Sequence, residues 1–122
     1  ILVIDDSNLV ANFIKKIFDN KYDVYIANDG AKAIEIINGG NADRIKCCLL
    51  DLNMPNVNGF EVLDYFQKNN LFYKMPVSII TGNDTADSVK NVFNYPIVDL
   101  LTKPFNERDI RRIIEKTLNY YK

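Results

Sequence analysis

A doubly wound α/β fold, with a five-stranded parallel sheet and helices on both faces, follows from three observations. Apolar runs recur along the chain at Ile1–Ile4, Tyr22–Ala27, Ile45–Leu50, Pro76–Ile80 and Ile97–Leu101. These runs are largely unbroken rather than alternating, as strands buried on both faces are. Each is followed by a segment whose apolar residues return at helical spacing, so strand and helix alternate. Right-handed crossovers between parallel strands then place helices on both sides of the sheet.

The elements can be justified in order. The first strand ends in Asp5-Asp6, and Ser7 can cap a helix in which Leu9, Val10, Phe13, Ile14, Ile17 and Phe18 recur as an apolar stripe. Tyr22–Ala27 is rich in β-branched and aromatic residues. Asn28-Asp29-Gly30 follows as turn and cap, and a short helix carrying Ala31, Ala33, Ile34 and Ile37 is stopped by Gly39-Gly40. The third strand, Ile45–Leu50, delivers Asp51 into an Asn-Met-Pro turn. Asn58 with Glu61 resembles a capping box for a helix bearing Gly59, Phe60, Val62, Leu63 and Phe66. The fourth strand ends in Thr81-Gly82, and Asn83 or Asp84 caps a helix with Val89, Val92 and Phe93. The fifth ends in Thr102-Lys103-Pro104-Phe105, after which Asn106 caps a last helix with Ile110, Ile113, Ile114 and Leu118.

Bulk composition narrows the possible functions. A chain of 122 residues, 48% hydrophobic, is one domain with one core. It opens inside an apolar run at Ile1, which reads as a segment of a longer protein spanning 1–122 as a single unit. A net charge of −1 gives no basic excess for nucleic acid, and no run approaches the ~18 apolar residues of a membrane span. Cys47 and Cys48 are neighbours that point to opposite faces of a strand, which suits small core residues in a cytoplasmic domain. The absence of histidine removes imidazole acid–base chemistry and Ser-His catalysis.

In an open parallel sheet the carboxyl ends of the strands share one edge, where ligands bind. That edge collects Asp5 and Asp6 after the first strand, Asp51 after the third, Thr81 after the fourth and Lys103 after the fifth. Asn28 and Asp29, after the second, read as capping residues. Taken singly, each of the five collected residues admits a structural role. Together they weaken that reading, because converging carboxylates repel by about 4 kcal/mol per pair at ~4 Å and an effective dielectric near ~20. Lys103 supplies one compensating charge, and a hard divalent ion such as Mg²⁺ suits the remaining oxygens. The same set fits phosphoryl transfer: a carboxylate to attack, a cation to spread charge, and a lysine and a hydroxyl to hold oxygens. Backbone N–H groups after Asp51 and Thr81 could add donors, with Gly82 permitting close approach.

The ordered set Asp5-Asp6, Asp51 within Asp-Leu-Asn-Met-Pro, Gly59, Thr81-Gly82 and Lys103-Pro104-Phe105 resembles the receiver domain of two-component response regulators, from Ile1 to about Tyr120. The resemblance implies a flavodoxin-like sheet in the order 2-1-3-4-5. It implies that Asp51 accepts a phosphoryl group from a phosphohistidine on a sensor histidine kinase or phosphotransfer protein. It implies Mg²⁺ held by Asp6, Asp51 and the carbonyl of Asn53, with Asp5 acting through water. Lys103 would pair with Asp51 and then with phosphoryl oxygens, Thr81 would swing onto the phosphate, and the amides of Asn53 and Gly82 would assist. The Lys103–Pro104 bond would be cis. Such a domain is a signalling module rather than an enzyme, and it acts on an output domain or a downstream protein.

Two departures from the family pattern bear on output. Leu100 stands three before Lys103, where the family often has Tyr or Phe, and Tyr95-Pro96 replaces a small Gly-containing turn. Arg108, Arg111, Arg112 and Lys116 make the last helix basic, which reads first as a solvated face. Two competing functions differ in kind. A Mg²⁺-dependent phosphohydrolase of the haloacid-dehalogenase-like group would want a second Asp where this chain has Asn53. A binding module that is never phosphorylated would not need Asp51, Thr81 and Lys103 together. The residues leave open the kinase, the output domain and whether the domain forms a homodimer.

Overall fold

The computed structural model describes residues 1–52, 59–82 and 90–121. Five strands, β1 (Leu2–Ile4), β2 (Tyr25–Ala27), β3 (Cys48–Asp51), β4 (Val77–Thr81) and β5 (Leu100–Thr102), pair in parallel in the order β2-β1-β3-β4-β5. This is the order the resemblance implied, and the register sets Val3 beside Leu49, Leu49 beside Ser78 and Thr81 beside Thr102. The helices are α1 (Asn8–Phe18), α2 (Gly30–Ile36), α3 (Gly59–Lys68) and α4 (Glu107–Leu118), and residues 90–92 are also helical.

The central strands β1, β3 and β4 are buried on both faces because two separate cores flank the sheet, while the edge strands β2 and β5 are partly exposed. Leu2, Ile4, Cys48, Leu50, Val77 and Ile79 face α2 and α3, where Ala33, Val62, Leu63 and Phe66 meet them. Val3, Leu49 and Ile80 face the other way, onto Ala11, Ile14 and Phe18 of α1 and Ile110, Ile113 and Ile114 of α4. Cys47 and Cys48 fall in different cores, both buried as free thiols, and burial pushes the Cys47 thiol up to about 12. The buried hydroxyls of Ser78 on β4 and Thr117 on α4 lie 2.6 Å apart, and Thr117 donates to the Ile113 carbonyl. These polar atoms are thus satisfied inside the core.

The caps follow the sequence in part. Ser7 Oγ accepts from Val10 N at 3.3 Å, and Asp29 Oδ1 from Lys32 N at 2.7 Å. Asn106 and Asp109 form a reciprocal capping box on α4. The α2 helix runs on into a π-type turn at Ile37–Asn41, kinked within it at Gly40, whose φ of +92° lies in the left-handed region. The predicted caps Asn58, Asn83 and Asp84, and Val89 on the fourth helix, lie outside the described residues.

Several expectations need correction. The second strand is shorter than Tyr22–Ala27, because Tyr22 sits in the preceding turn with its ring 5.9 Å from Phe18. Asp51 and Thr81 are the last residues of their strands rather than the residues after them. Leu9 and Phe13 are 83% and 41% exposed, so the buried stripe of α1 is Ala11, Ile14 and Phe18. Phe93 is likewise exposed, whereas Val92 is buried.

Candidate functional site

The carboxyl edge of the sheet gathers Asp5, Asp6, Asp51, Thr81 and Lys103, as the strand-end argument requires. Asp5 and Asp51 are buried, and Asp6 is exposed on the loop entering α1. One carboxylate oxygen from each of the three lies within 4.8 Å of the others. Lys103 Nζ reaches Asp51 Oδ2 at 3.2 Å and Asp5 Oδ2 at 3.4 Å, while its backbone N–H donates to the Thr81 carbonyl at 2.8 Å. The lysine thus joins the ends of β1, β3, β4 and β5. The Lys103–Pro104 bond that follows is cis, as the resemblance implied.

The acidic cluster of Asp5, Asp6 and Asp51 is consistent with a metal site. Asp5 Oδ1 accepts from Ser7 N at 2.8 Å, but Asp5 Oδ2 has no hydrogen-bond partner and only the offset ion pair with Lys103. Burial, opposed by the Ser7 N–H and reinforced by the Asp51 charge, pushes the Asp5 carboxyl up from 3.8 to about 6. For Lys103, burial works against the charge, yet the Asp5 and Asp51 carboxylates outweigh it and hold the ammonium above its usual value. Three carboxylates against one ammonium leave two negative charges. A hard divalent cation fits both that charge and the set of carboxylate oxygens.

Gly59 shows how closely the site is built. A Cβ placed there would lie 2.7 Å from Leu52 Cα and 2.9 Å from the Asp51 carbonyl oxygen. The first residue of α3 therefore rests directly on the end of β3, and only glycine fits. Gly82 is different, since a Cβ there would meet Lys103 Cδ at an ordinary 3.8 Å. Asn53, expected to serve metal and phosphoryl group, lies outside the described residues.

Two features escaped the sequence. Asn28 caps nothing: its amide donates to Asn8 Oδ1 at 2.8 Å and to the Asp5 carbonyl at 3.4 Å, beside the acidic cluster. Leu9, Val10 and Phe13 join Lys103, Pro104 and Phe105 around an apolar concavity of about 370 Å³, with the Phe13 and Phe105 rings 6.4 Å apart. A finer helical wheel could have separated Leu9 and Phe13 from the Ala11, Ile14, Phe18 stripe. Nothing in the sequence could have paired Asn28 with Asn8.

The family model described as the response regulator receiver domain matches residues 1–115. The chain belongs to that family. As a receiver domain it is a signalling module of two-component systems rather than an enzyme in the ordinary sense. It is 34% identical over 112 residues to the response regulator ArlR of Staphylococcus saprophyticus, covering 90% of this chain and 48% of that protein. It is 24% identical to the sensor histidine kinase TmoS of Ectopseudomonas mendocina, covering 98% of this chain and 12% of that protein. The receiver domain thus spans about half of one relative and a small part of the other. Among solved structures, the Francisella response regulator 1452 receiver domain superposes with a TM-score of 0.84 at 29% identity, covering 99% of this chain and 97% of that one.

The output side differs from the pattern in a definite way. Leu100 packs against the core with Tyr95, whose ring lies 6.4 Å from Phe72 and whose hydroxyl donates to Asp64 on α3. Arg111, Arg112 and Lys116 pair with Glu107, Asp109 and Asp99 on the surface, in keeping with a solvated basic face. No helix among the described residues is long and apolar enough to cross a membrane.

Proposed function

We propose that this receiver domain takes a phosphoryl group on Asp51 from a phosphohistidine of a partner kinase or phosphotransfer protein. The observation that carries the proposal is Lys103, whose ammonium lies between Asp5 and Asp51 in a cluster of three carboxylates. An Asp51 oxygen attacks the phosphorus, the P–N bond breaks, and its electron pair leaves with the imidazole, which takes a proton from solvent. Lys103 is within reach of a phosphoryl oxygen on Asp51 and neutralises part of the charge added there. Thr81, one strand over and tied to Lys103 through the backbone, is the hydroxyl to hold another such oxygen.

Asp5, Asp6 and Asp51, with the carbonyl of Asn53, are the residues that would hold Mg²⁺. When bound, the ion spreads the negative charge of the transferring group. The amides of Asn53 and Gly82 complete the donors. The apolar concavity of Leu9, Phe13 and Phe105 beside Lys103 suits a helix carrying the donor histidine, because exposed apolar surface next to the acceptor is what such a partner would bury. The domain acts in the cytoplasm, through an output domain or a downstream partner. Acetyl phosphate with Mg²⁺ is expected to add one phosphoryl group, seen as a retarded band on a phosphate-affinity gel. Equal labelling of wild type and Asp51→Asn would sink the assignment.

A further inference from the structure

Among the described residues, Asp6 is the one carboxylate of the cluster whose side chain has no hydrogen-bond or ion-pair partner. Asp5 is fixed through Ser7 N and Lys103, and its own N–H donates to the Ala27 carbonyl at 3.0 Å. Asp51 ends a central strand and meets Lys103. Asp6 lies on the loop between β1 and α1, exposed, and its carboxylate has no partner among the described residues. Its oxygen nonetheless stays within 4.8 Å of the other two.

The loop on either side of it is held instead, at the Asp5 carbonyl and the Asn8 side chain. Asn28, just past the end of β2, turns its amide nitrogen toward this loop. The Nδ2 group carries two hydrogens, and two acceptors lie within reach: Asn8 Oδ1 at 2.8 Å and the Asp5 carbonyl at 3.4 Å. Those two residues bracket Asp6 and Ser7. The clamp is neutral, so it adds no charge to a pocket that already repels itself, and it is anchored at the end of a strand. We infer that Asn28, acting with Asn8, is a positioning residue that presets Asp6 for the divalent cation. This rests on the metal site proposed above.

The test is a Mg²⁺ titration followed by amide chemical shifts in wild type, Asn8→Ala, Asn28→Ala and the double variant. A urea midpoint is measured for each. Asn28→Ala is expected to weaken Mg²⁺ binding about three- to tenfold, the range one net hydrogen bond spans, with the midpoint unchanged. The double variant should bind no more weakly than Asn28→Ala alone. In metal-free protein, the Asp6 and Ser7 amides should exchange faster in Asn28→Ala while those of β3 stay as in wild type. Equal Mg²⁺ affinity in wild type and Asn28→Ala would overturn the clamp alone. So would a loss of affinity matched by a loss of global stability. A wild type that takes up no Mg²⁺ would overturn the metal reading and this inference with it.

Discussion

Lys103 places its ammonium 3.2 Å from Asp51 Oδ2 and 3.4 Å from Asp5 Oδ2, so one side chain bridges the ends of β1 and β3 from the far edge of the sheet. The ion pair is largely buried on its acidic side, where an unpaired charge is costly. Replacing Lys103 by Met leaves two buried carboxylates facing each other. The metal-free variant is expected to lose about 3–5 kcal/mol in urea unfolding, and Mg²⁺ should restore part of the loss. Labelling of Asp51 by acetyl phosphate should fall as well. A variant as stable as wild type without metal would remove Lys103 from this role.

The acidic pocket also sets a pH dependence. Asp5 titrates near 6 when folded and near 3.8 when unfolded, so the native state holds its proton more tightly. A raised carboxyl makes stability fall as pH rises, here from about pH 4 to about pH 6, after which it levels off. The shift corresponds to a loss on the order of 3 kcal/mol in metal-free protein. Mg²⁺ needs the deprotonated carboxylate, so its affinity should climb over the same window. Asp5→Asn should flatten the fall in stability, as chemical denaturation at several pH values will show.

Gly59 offers a backbone test. An alanine there would put its Cβ 2.7 Å from Leu52 Cα, and backbone cannot give way as a side chain can. Gly59→Ala is expected to cost about 2 kcal/mol or more, in the range of overpacked cores. Because the same Cβ also presses on the Asp51 carbonyl, phosphorylation by acetyl phosphate should slow. An unchanged rate and midpoint would show that α3 can shift freely against β3.

The concavity beside the acceptor separates partner docking from chemistry. Phe13→Asp puts a charge on an apolar surface that is exposed in the isolated domain, so the fold should tolerate it. Transfer from a phosphohistidine donor is expected to fall at least tenfold while labelling by acetyl phosphate stays unchanged. Equal losses with both donors would place the effect in the site itself.

Much of this was legible in the chain. Continuous apolar runs separated by helical stripes determine a parallel sheet covered on both faces, because such a strand has few polar positions; that the interior divides into two cores, where composition suggested one, only packing shows. The strand-end rule then brings Asp5, Asp6, Asp51, Thr81 and Lys103 to one edge without any distance being known. The sequence, read by spacing alone, joined Leu9 and Phe13 to the stripe of α1; a finer helical wheel sets them apart, but only packing shows that they border an apolar concavity. It could not show that Lys103 serves two carboxylates at once, or that Gly59 rests on Leu52, because those contacts join elements far apart in sequence. Above all it read Asn28 as a cap. An asparagine in a turn bonds its own neighbours by default, and only the adjacency of β2 to β1 brings it against Asn8 and the loop that carries Asp6. Residue types and their order decide which groups meet; packing decides which atoms of those groups touch.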